Sequence, residues 1–133
     1  MAQEEKNKLL KYLCMALSYG VIVDRLGRPR KLIGIYPFKE YCFILDNGDY
    51  MPQPYTIEDI KPYLRPMSSM TDEERTEYKK LIVLQPTDNG YDWHEVPTIN
   101  ALDWLLHNHF DFMGLIPMGA AIAVTEDNNP YKD

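Results

Sequence analysis

The hydrophobic pattern of the first twenty residues predicts an amphipathic helix. Apolar side chains recur at i, i+1, i+4, i+5 and i+8, a spacing that forms one stripe along a helix. These residues are Leu9, Leu10, Leu13, Cys14 and Leu17. Two glutamates in the first turn suit the positive end of the helix dipole. Gly20 follows the last periodic residue and can adopt the left-handed backbone that ends a helix.

The pattern between residues 21 and 64 changes to that of short strands. Runs of β-branched and aromatic residues at 21–23, 32–36 and 41–45 have strand length and predict an antiparallel meander. Turn sequences separate them, and Asn47-Gly48 is the strongest because it accepts the positive φ angles of a type I′ hairpin. With a helical turn after Thr56, the meander suggests a small SH3-like barrel, although an open sheet would give the same pattern.

The second half of the chain predicts two further helices with a short hairpin between them. Thr71 and Glu74 have the spacing of a capping box, so a helix begins after Thr71. Thr98 is the N-cap of the third helix. Between these helices, the sequence predicts two strands, at 82–84 and 91–96, around the turn Thr87-Asp88-Asn89-Gly90. The predicted fold class is therefore α+β.

Size and composition indicate one ordinary globular domain over residues 1–133, with a polar tail from about residue 126. The chain has 133 residues, 45% of them hydrophobic and 26% charged. It has no apolar region of signal-peptide type and no apolar stretch near the ~20 residues of a membrane span. Cys14 and Cys42 lie in apolar runs and are predicted to be buried, reduced thiols. We therefore expect a cytoplasmic protein with no membrane partner.

Charge is unevenly distributed along the chain. The net charge is −6, and residues 1–41 contain eight Lys and Arg against four Asp and Glu, whereas residues 42–133 contain six against sixteen. This acidic excess disfavours duplex nucleic acid, which needs a broad cationic face. A local basic cluster surrounds the turn at Gly27 and consists of Arg25, Arg28, Arg30 and Lys31. Guanidinium groups could clamp an acidic partner or a phosphate there, and a solvated loop is the alternative.

Aromatic residues gather near the following turn. Tyr36, Phe38 and Tyr41 could line a groove at the strand ends, whereas packing in the core and its rim is the alternative explanation. The predicted binding surface combines both groups of residues: Arg25, Arg28, Arg30, Lys31, Tyr36, Phe38 and Tyr41.

Candidate catalytic and metal-binding patterns do not form complete sets. The run His107-Asn108-His109-Phe110-Asp111 resembles a metallo-hydrolase arrangement, but residues two apart on a helix point ~200° apart. His94 shares a strand face with Asp92 while Trp93 shares the other with Glu95, which favours a surface hairpin with an aromatic anchor over a catalytic site. No catalytic residue, metal or cofactor is predicted. An active site assembled in space around His94 or His109 remains a rival hypothesis.

Four segments resemble a group of small uncharacterised proteins from gut Bacteroides-type bacteria, their phages and mobile elements. The segments are 17–21 (LSYGV), 57–71 (IEDIKPYLRPMSSMT), 108–116 (NHFDFMGLI) and 119–122 (GAAI). Met113 stands where the pattern of that group has Arg. The resemblance implies an accessory protein of phage or mobile-element origin and supplies no catalytic residue.

These observations together predict a non-enzymatic interaction module that binds a host protein. An acidic protein surface suits the basic turn best. The alternative is a protein that sequesters or senses a nucleotide or another small anionic ligand, in a concave pocket that combines aromatic stacking with Arg or Lys.

Overall fold

The computed structural model describes residues 2–37, 41–46 and 54–132, and within these ranges the chain is a mixed α+β protein, as predicted. The helices are α1 (Gln3–Ala16), α2 (Asp72–Lys79) and α3 (Ile99–His107). The strands are β1 (Ile22–Arg25), β2 (Arg28–Pro37), β3 (Tyr41–Asp46), β4 (Pro54–Tyr55), β5 (Lys61–Leu64), β6 (Ile82–Pro86), β7 (Trp93–Pro97) and β8 (Ile122–Ala123). The predicted Asn47-Gly48 turn lies outside the described residues.

Helix α1 covers the main sheet with one apolar stripe. The buried positions are Leu9, Tyr12, Leu13 and Ala16, which follow the i, i+3, i+4, i+7 spacing of a single helix face. Cys14 is exposed and Cys42 is half-buried, so the prediction that both thiols are buried was wrong. Cys14 lies about 100° around the helix from Leu13, outside the buried stripe. Gly20 has φ +74° and ends the helical segment, as predicted.

The main sheet has six strands in the order β4-β3-β2-β1-β5-β8. Strands β1 to β4 form the predicted antiparallel meander, and β5 pairs with the other side of β1. The sheet is open, because β4 and β8 are its edges and no pairing between described strands closes it into an SH3-like barrel. The core between this sheet and α1 includes Val23, Leu32, Phe43 and Leu45.

The C-terminal segment is fixed to the sheet by Tyr131. Its hydroxyl accepts a hydrogen bond from the backbone N–H of Ile22 (3.0 Å) and donates one to the carbonyl oxygen of Tyr63 (2.7 Å). Ile22 lies on β1 and Tyr63 on β5, so this side chain joins two neighbouring strands beyond the end of their paired residues. The polar tail therefore carries a structural anchor, which its composition did not indicate.

Helices α2 and α3 form a second, smaller core with the connector that follows β5. Thr71 and Glu74 make the predicted capping box, and Thr98 caps α3 by accepting a hydrogen bond from Ala101. The second core contains Met70, Leu105 and Phe110. None of the helices within the described ranges has the length and apolar character needed to cross a membrane.

Candidate interaction surfaces

Strands β6 and β7 form a two-stranded hairpin that is separate from the main sheet. Leu84 lies opposite Glu95, and Pro86 lies opposite Trp93. Side chains alternate between faces along a strand, so Leu84, Pro86 and Trp93 share one face. Leu84 and Trp93 are diagonal neighbours there, at a separation that an aromatic ring can bridge. Neither strand has another strand neighbour among the described residues.

The hairpin and its surroundings expose large apolar side chains. Leu84 and Trp93 are 61% and 63% exposed, and Tyr91 in the connecting loop is 89% exposed. Val83 on the opposite face and Ile99 at the start of α3 are also exposed. Isolated apolar residues on a surface are ordinary, but Leu84 and Trp93 are neighbours on one face, and adjoining exposed apolar side chains are typical of an interaction surface.

Asn89 organises the loop of the hairpin. Its side-chain oxygen accepts hydrogen bonds from the hydroxyl of Thr87 (2.7 Å) and from the backbone N–H groups of Tyr91 (2.9 Å) and Asp92 (3.2 Å). Gly90 follows with φ +74°, a conformation that favours glycine. The loop is thus held by its own hydrogen bonds, one of which fixes the backbone of Tyr91.

A stack of planar groups supports α2 and α3, the helices on either side of the hairpin. The ring of Tyr78 stacks on Trp104 (5.7 Å between centroids), and Trp104 stacks on Phe110 (5.5 Å). The guanidinium of Arg65 lies 4.2 Å from the centroid of Phe110 and donates two hydrogen bonds to Glu74 (2.7 and 2.8 Å). This ion pair lowers the pKa of the Glu74 carboxyl to about 2. The chain therefore enters the hairpin from α2 and leaves it into α3, two helices that this stack joins.

The hairpin is acidic as well as apolar. Residues 82–97 contain Asp88, Asp92 and Glu95 and no Lys or Arg. The whole stretch from 81 to 131 lacks Lys and Arg. Because its charges all have one sign, the hairpin favours a partner that carries cationic groups around an apolar centre.

The basic cluster predicted from the sequence is divided by the sheet. Arg25 lies opposite Arg28 and Val23 lies opposite Arg30, so these three arginines share the face of β1 and β2 that carries the buried Val23. Lys31 lies on the other face, opposite Ile22. The guanidinium of Arg25 is placed over the ring of Tyr55, at 5.0 Å from its centroid. The structure therefore brings together three of the four predicted cations.

The predicted aromatic residues do not join this cluster. Arg28 begins β2 and Tyr36 lies near its end, which at the rise of an extended strand separates them by about 25 Å. Tyr36 and Tyr41 are both exposed but occupy opposite faces, since Tyr36 lies opposite Cys42. Phe38 lies outside the described residues. The six described residues of this prediction thus do not form one surface.

The histidines occupy three different environments. His94 is exposed on the hairpin, and His107 is the exposed last residue of α3. His109 follows α3 with φ +60°, and its ring stacks on Tyr131 at 3.8 Å between centroids. Burial, together with His107 and Arg65, lowers the pKa of His109 to about 4, so the ring is neutral near pH 7. Among the described residues, no three His, Cys, Asp or Glu side chains are grouped to hold a metal ion.

The alternative function, binding of a nucleotide or another small anion, needs a cleft that combines an aromatic ring with Arg or Lys. Two clefts in the described part of the chain bear on it. One, of about 380 Å³, lies between α1 and the turn after β4 and contains Tyr41, but its Lys6 is paired with Glu58. The other, of about 560 Å³, contains Arg65 and Lys132 and no aromatic ring. Neither cleft combines a ring for stacking with several unpaired cations.

Sequence reasoning placed Trp93 on a surface hairpin but missed the apolar surface around it. Leu84 belongs to a run of the same kind as the buried strands, and Ile99 follows the helical period of α3. The residues within and next to a strand do not indicate whether another element covers it. The sequence did contain one indication of an exposed apolar surface, the lack of Lys and Arg between 81 and 131. Exposed edge strands ordinarily carry charged side chains, especially Lys, which prevent association with other chains.

Comparisons with family models, with curated proteins and with solved structures gave no significant match to this chain.

Proposed function

We propose that this chain is a non-enzymatic interaction module that docks a partner protein on the β6–β7 hairpin. The observation that carries the proposal is the pair Leu84 and Trp93, adjacent on one face and both more than 60% exposed. Tryptophan is enriched among the residues that dominate binding energy at protein interfaces. The exposed Leu84 beside it extends the apolar centre of the surface.

The architecture of the hairpin supports the same function. A two-stranded hairpin is marginally stable in water when nothing covers it. Here the hydrogen bonds of Asn89 hold the loop at one end, and the hydroxyl and N–H of Thr98 donate to the carbonyl oxygen of Leu81 at the other. The outer edges of β6 and β7 offer backbone groups to which a partner strand could add. The hairpin is thus ordered, and it offers both an apolar face and strand edges to a partner.

The charge of the hairpin suggests the character of the partner surface. Asp88, Asp92 and Glu95 would meet a rim of Lys or Arg around an apolar centre. The resemblance to the Bacteroides-type group is the support for a phage or mobile-element origin and for a host protein as the partner, in the cytoplasm.

Capture of a partner from a lysate of a Bacteroides-type bacterium, followed by affinity measurement with the purified captured protein, tests this function. We expect Leu84→Ser combined with Trp93→Ala to weaken the affinity at least about tenfold, because both residues leave the apolar centre of the interface. Ile33→Ser combined with Tyr36→Ser is the matched control, since both residues are exposed but lie on β2. Equal binding by the hairpin variant and the native chain would refute the proposal.

A further inference from the structure

The turn between β1 and β2 has a strained and exposed apolar residue at its tip. Leu26 and Gly27 are the two residues of the loop, with φ +54° and +79°. A two-residue hairpin turn of type I′ needs positive φ at both positions, and Asn, Asp or Gly usually fill them because other residues are strained there. Leu26 instead occupies the first position and is 80% exposed. The turn itself gives no reason for a large apolar side chain at this site, and such a side chain in solvent is typical of a contact surface.

Arginines surround this tip. Arg25 and Arg28 flank the loop, and Arg30 follows on the same face. Arg28 and Arg30 form no ion pair within the part of the chain that the structure describes. We call residues 25–30 the basic finger. It presents an apolar tip with Arg28 and Arg30 on one face and with Arg25 beside them, packed over Tyr55. This arrangement complements an apolar surface with an acidic rim.

The hairpin of the same protein is such a surface. It carries Leu84 and Trp93 with Glu95 on the same face, and Asp88 and Asp92 in the adjoining loop, against the guanidinium groups of the finger. Guanidinium groups bind carboxylates through paired hydrogen bonds and also stack on indole rings. No hydrogen bond, ion pair or ring contact between described residues joins the finger to the hairpin of its own chain. Two hairpins would repel each other, since each carries three negative charges.

We propose that the basic finger of one copy docks on the β6–β7 hairpin of a second copy and covers Leu84 and Trp93 when the partner protein is absent. This inference rests on the proposed function, because it assigns a regulation to the same surface. Self-association shields the apolar face, and the partner must displace the finger to bind. A reciprocal contact, with each finger on the other hairpin, closes a two-fold dimer.

Sedimentation velocity of the chain alone, from low to high micromolar concentration, tests the inference. We expect the mass to rise above the 15.6 kDa of one chain in low salt and to return to it near 1 M salt, where the Debye length is only about 3 Å. A single-chain mass at every concentration in low salt would overturn the inference. That result would leave the capture of a partner by the hairpin untouched, so the two proposals fail separately.

Charge reversal identifies the two surfaces. Arg28→Glu with Arg30→Glu changes the finger, and Asp88→Lys with Glu95→Lys changes the hairpin while leaving the hydrogen bonds of Asp92 in place. We expect each variant alone to associate at least about tenfold more weakly and an equimolar mixture of the two to recover association.

Lys8→Glu with Lys11→Glu is the charge-matched control, because both lysines are exposed on α1. Circular dichroism of each variant establishes that it is folded. Persistent association of the finger variant alone, or a mixture that stays monomeric, would contradict the assignment of these surfaces.

Discussion

Two antiparallel strand pairs in this molecule have similar sequences and opposite surroundings. The β2–β3 pair buries Leu32, Phe43 and Leu45 beneath α1, whereas the β6–β7 pair leaves Leu84 and Trp93 in solvent. Both pairs are rich in β-branched and aromatic residues. The difference shows that a run of such residues determines a strand, and that the neighbouring elements determine whether the strand is covered.

Helix α1 covers the first pair, because its apolar stripe packs in the same core as the buried residues of β2 and β3. Helix α3 comes directly after the second pair, but its buried residues Leu105 and Leu106 face the two cores. The hairpin therefore lacks a helix of its own within the described residues. Its apolar face is available to another molecule, and this is the physical basis of the proposed function.

The largest difference between the two pairs should appear when an aromatic residue is truncated in each. Phe43 is fully buried, and Phe43→Ala should lower the free energy of unfolding by about 3–5 kcal/mol through lost burial and a residual cavity. Urea unfolding followed by circular dichroism measures this change. Trp93→Ala in the hairpin is the comparison, and a similar loss at low protein concentration would mean that the hairpin is covered by its own chain.

The second prediction concerns the ion pair that ties α2 to the end of β5. Glu74→Gln should lower the free energy of unfolding at pH 7 by about 1.5–3 kcal/mol, because Arg65 loses a charged acceptor. The pKa of Glu74 is depressed in the folded state, so its contribution is complete above about pH 4.5 and is lost as the pH falls toward 2.

Urea titrations between pH 2 and pH 7 measure both effects. The native chain and the Glu74→Gln variant should converge in stability at the acidic end of this range. Glu77→Gln, on an exposed position of the same helix, is the control and should leave the profile unchanged. A constant difference between native and variant chains over the whole pH range would contradict the role given to Glu74.

Much of the fold could be predicted from local signals. The capping box at Thr71, the N-cap at Thr98 and the stop at Gly20 depend on neighbouring residues, and all three are present in the structure. The predicted meander depends on strand runs and turns, which are also local. Cys14 was misplaced because apolar character alone cannot fix the phase of a helical stripe to better than one residue.

The candidate surfaces could not be predicted in the same way, because they depend on distances between segments. The basic cluster and the aromatic cluster are close in sequence, but the ten residues of β2 hold Arg28 and Tyr36 at opposite ends of one strand. The anchor at Tyr131 joins residues more than sixty positions apart. Such contacts follow from the topology of the sheet and leave no periodic signal in the sequence.

The third prediction concerns Tyr131, whose hydroxyl joins β1 and β5 of the main sheet. Tyr131→Phe removes the hydroxyl that bridges Ile22 and Tyr63 and leaves a partly buried backbone N–H without an acceptor. We expect a loss of about 1–2 kcal/mol in the free energy of unfolding. Hydrogen exchange of the Ile22 amide should also accelerate. Tyr36→Phe, on an exposed ring, is the control, and an equal effect of the two changes would show that Tyr131 does not bridge the strands.

We expect the smallest effect on stability for substitutions on the hairpin, which should have the largest effect on binding. Leu84→Ser removes an exposed side chain, and surface substitutions of this kind usually change the free energy of unfolding by less than about 0.5 kcal/mol. The urea midpoint should therefore stay close to that of the native chain at low protein concentration. At high concentration and low salt, the native chain should gain stability relative to the variant, because association stabilises the folded state. A variant that is equally destabilised at every concentration would show instead that Leu84 packs within its own chain.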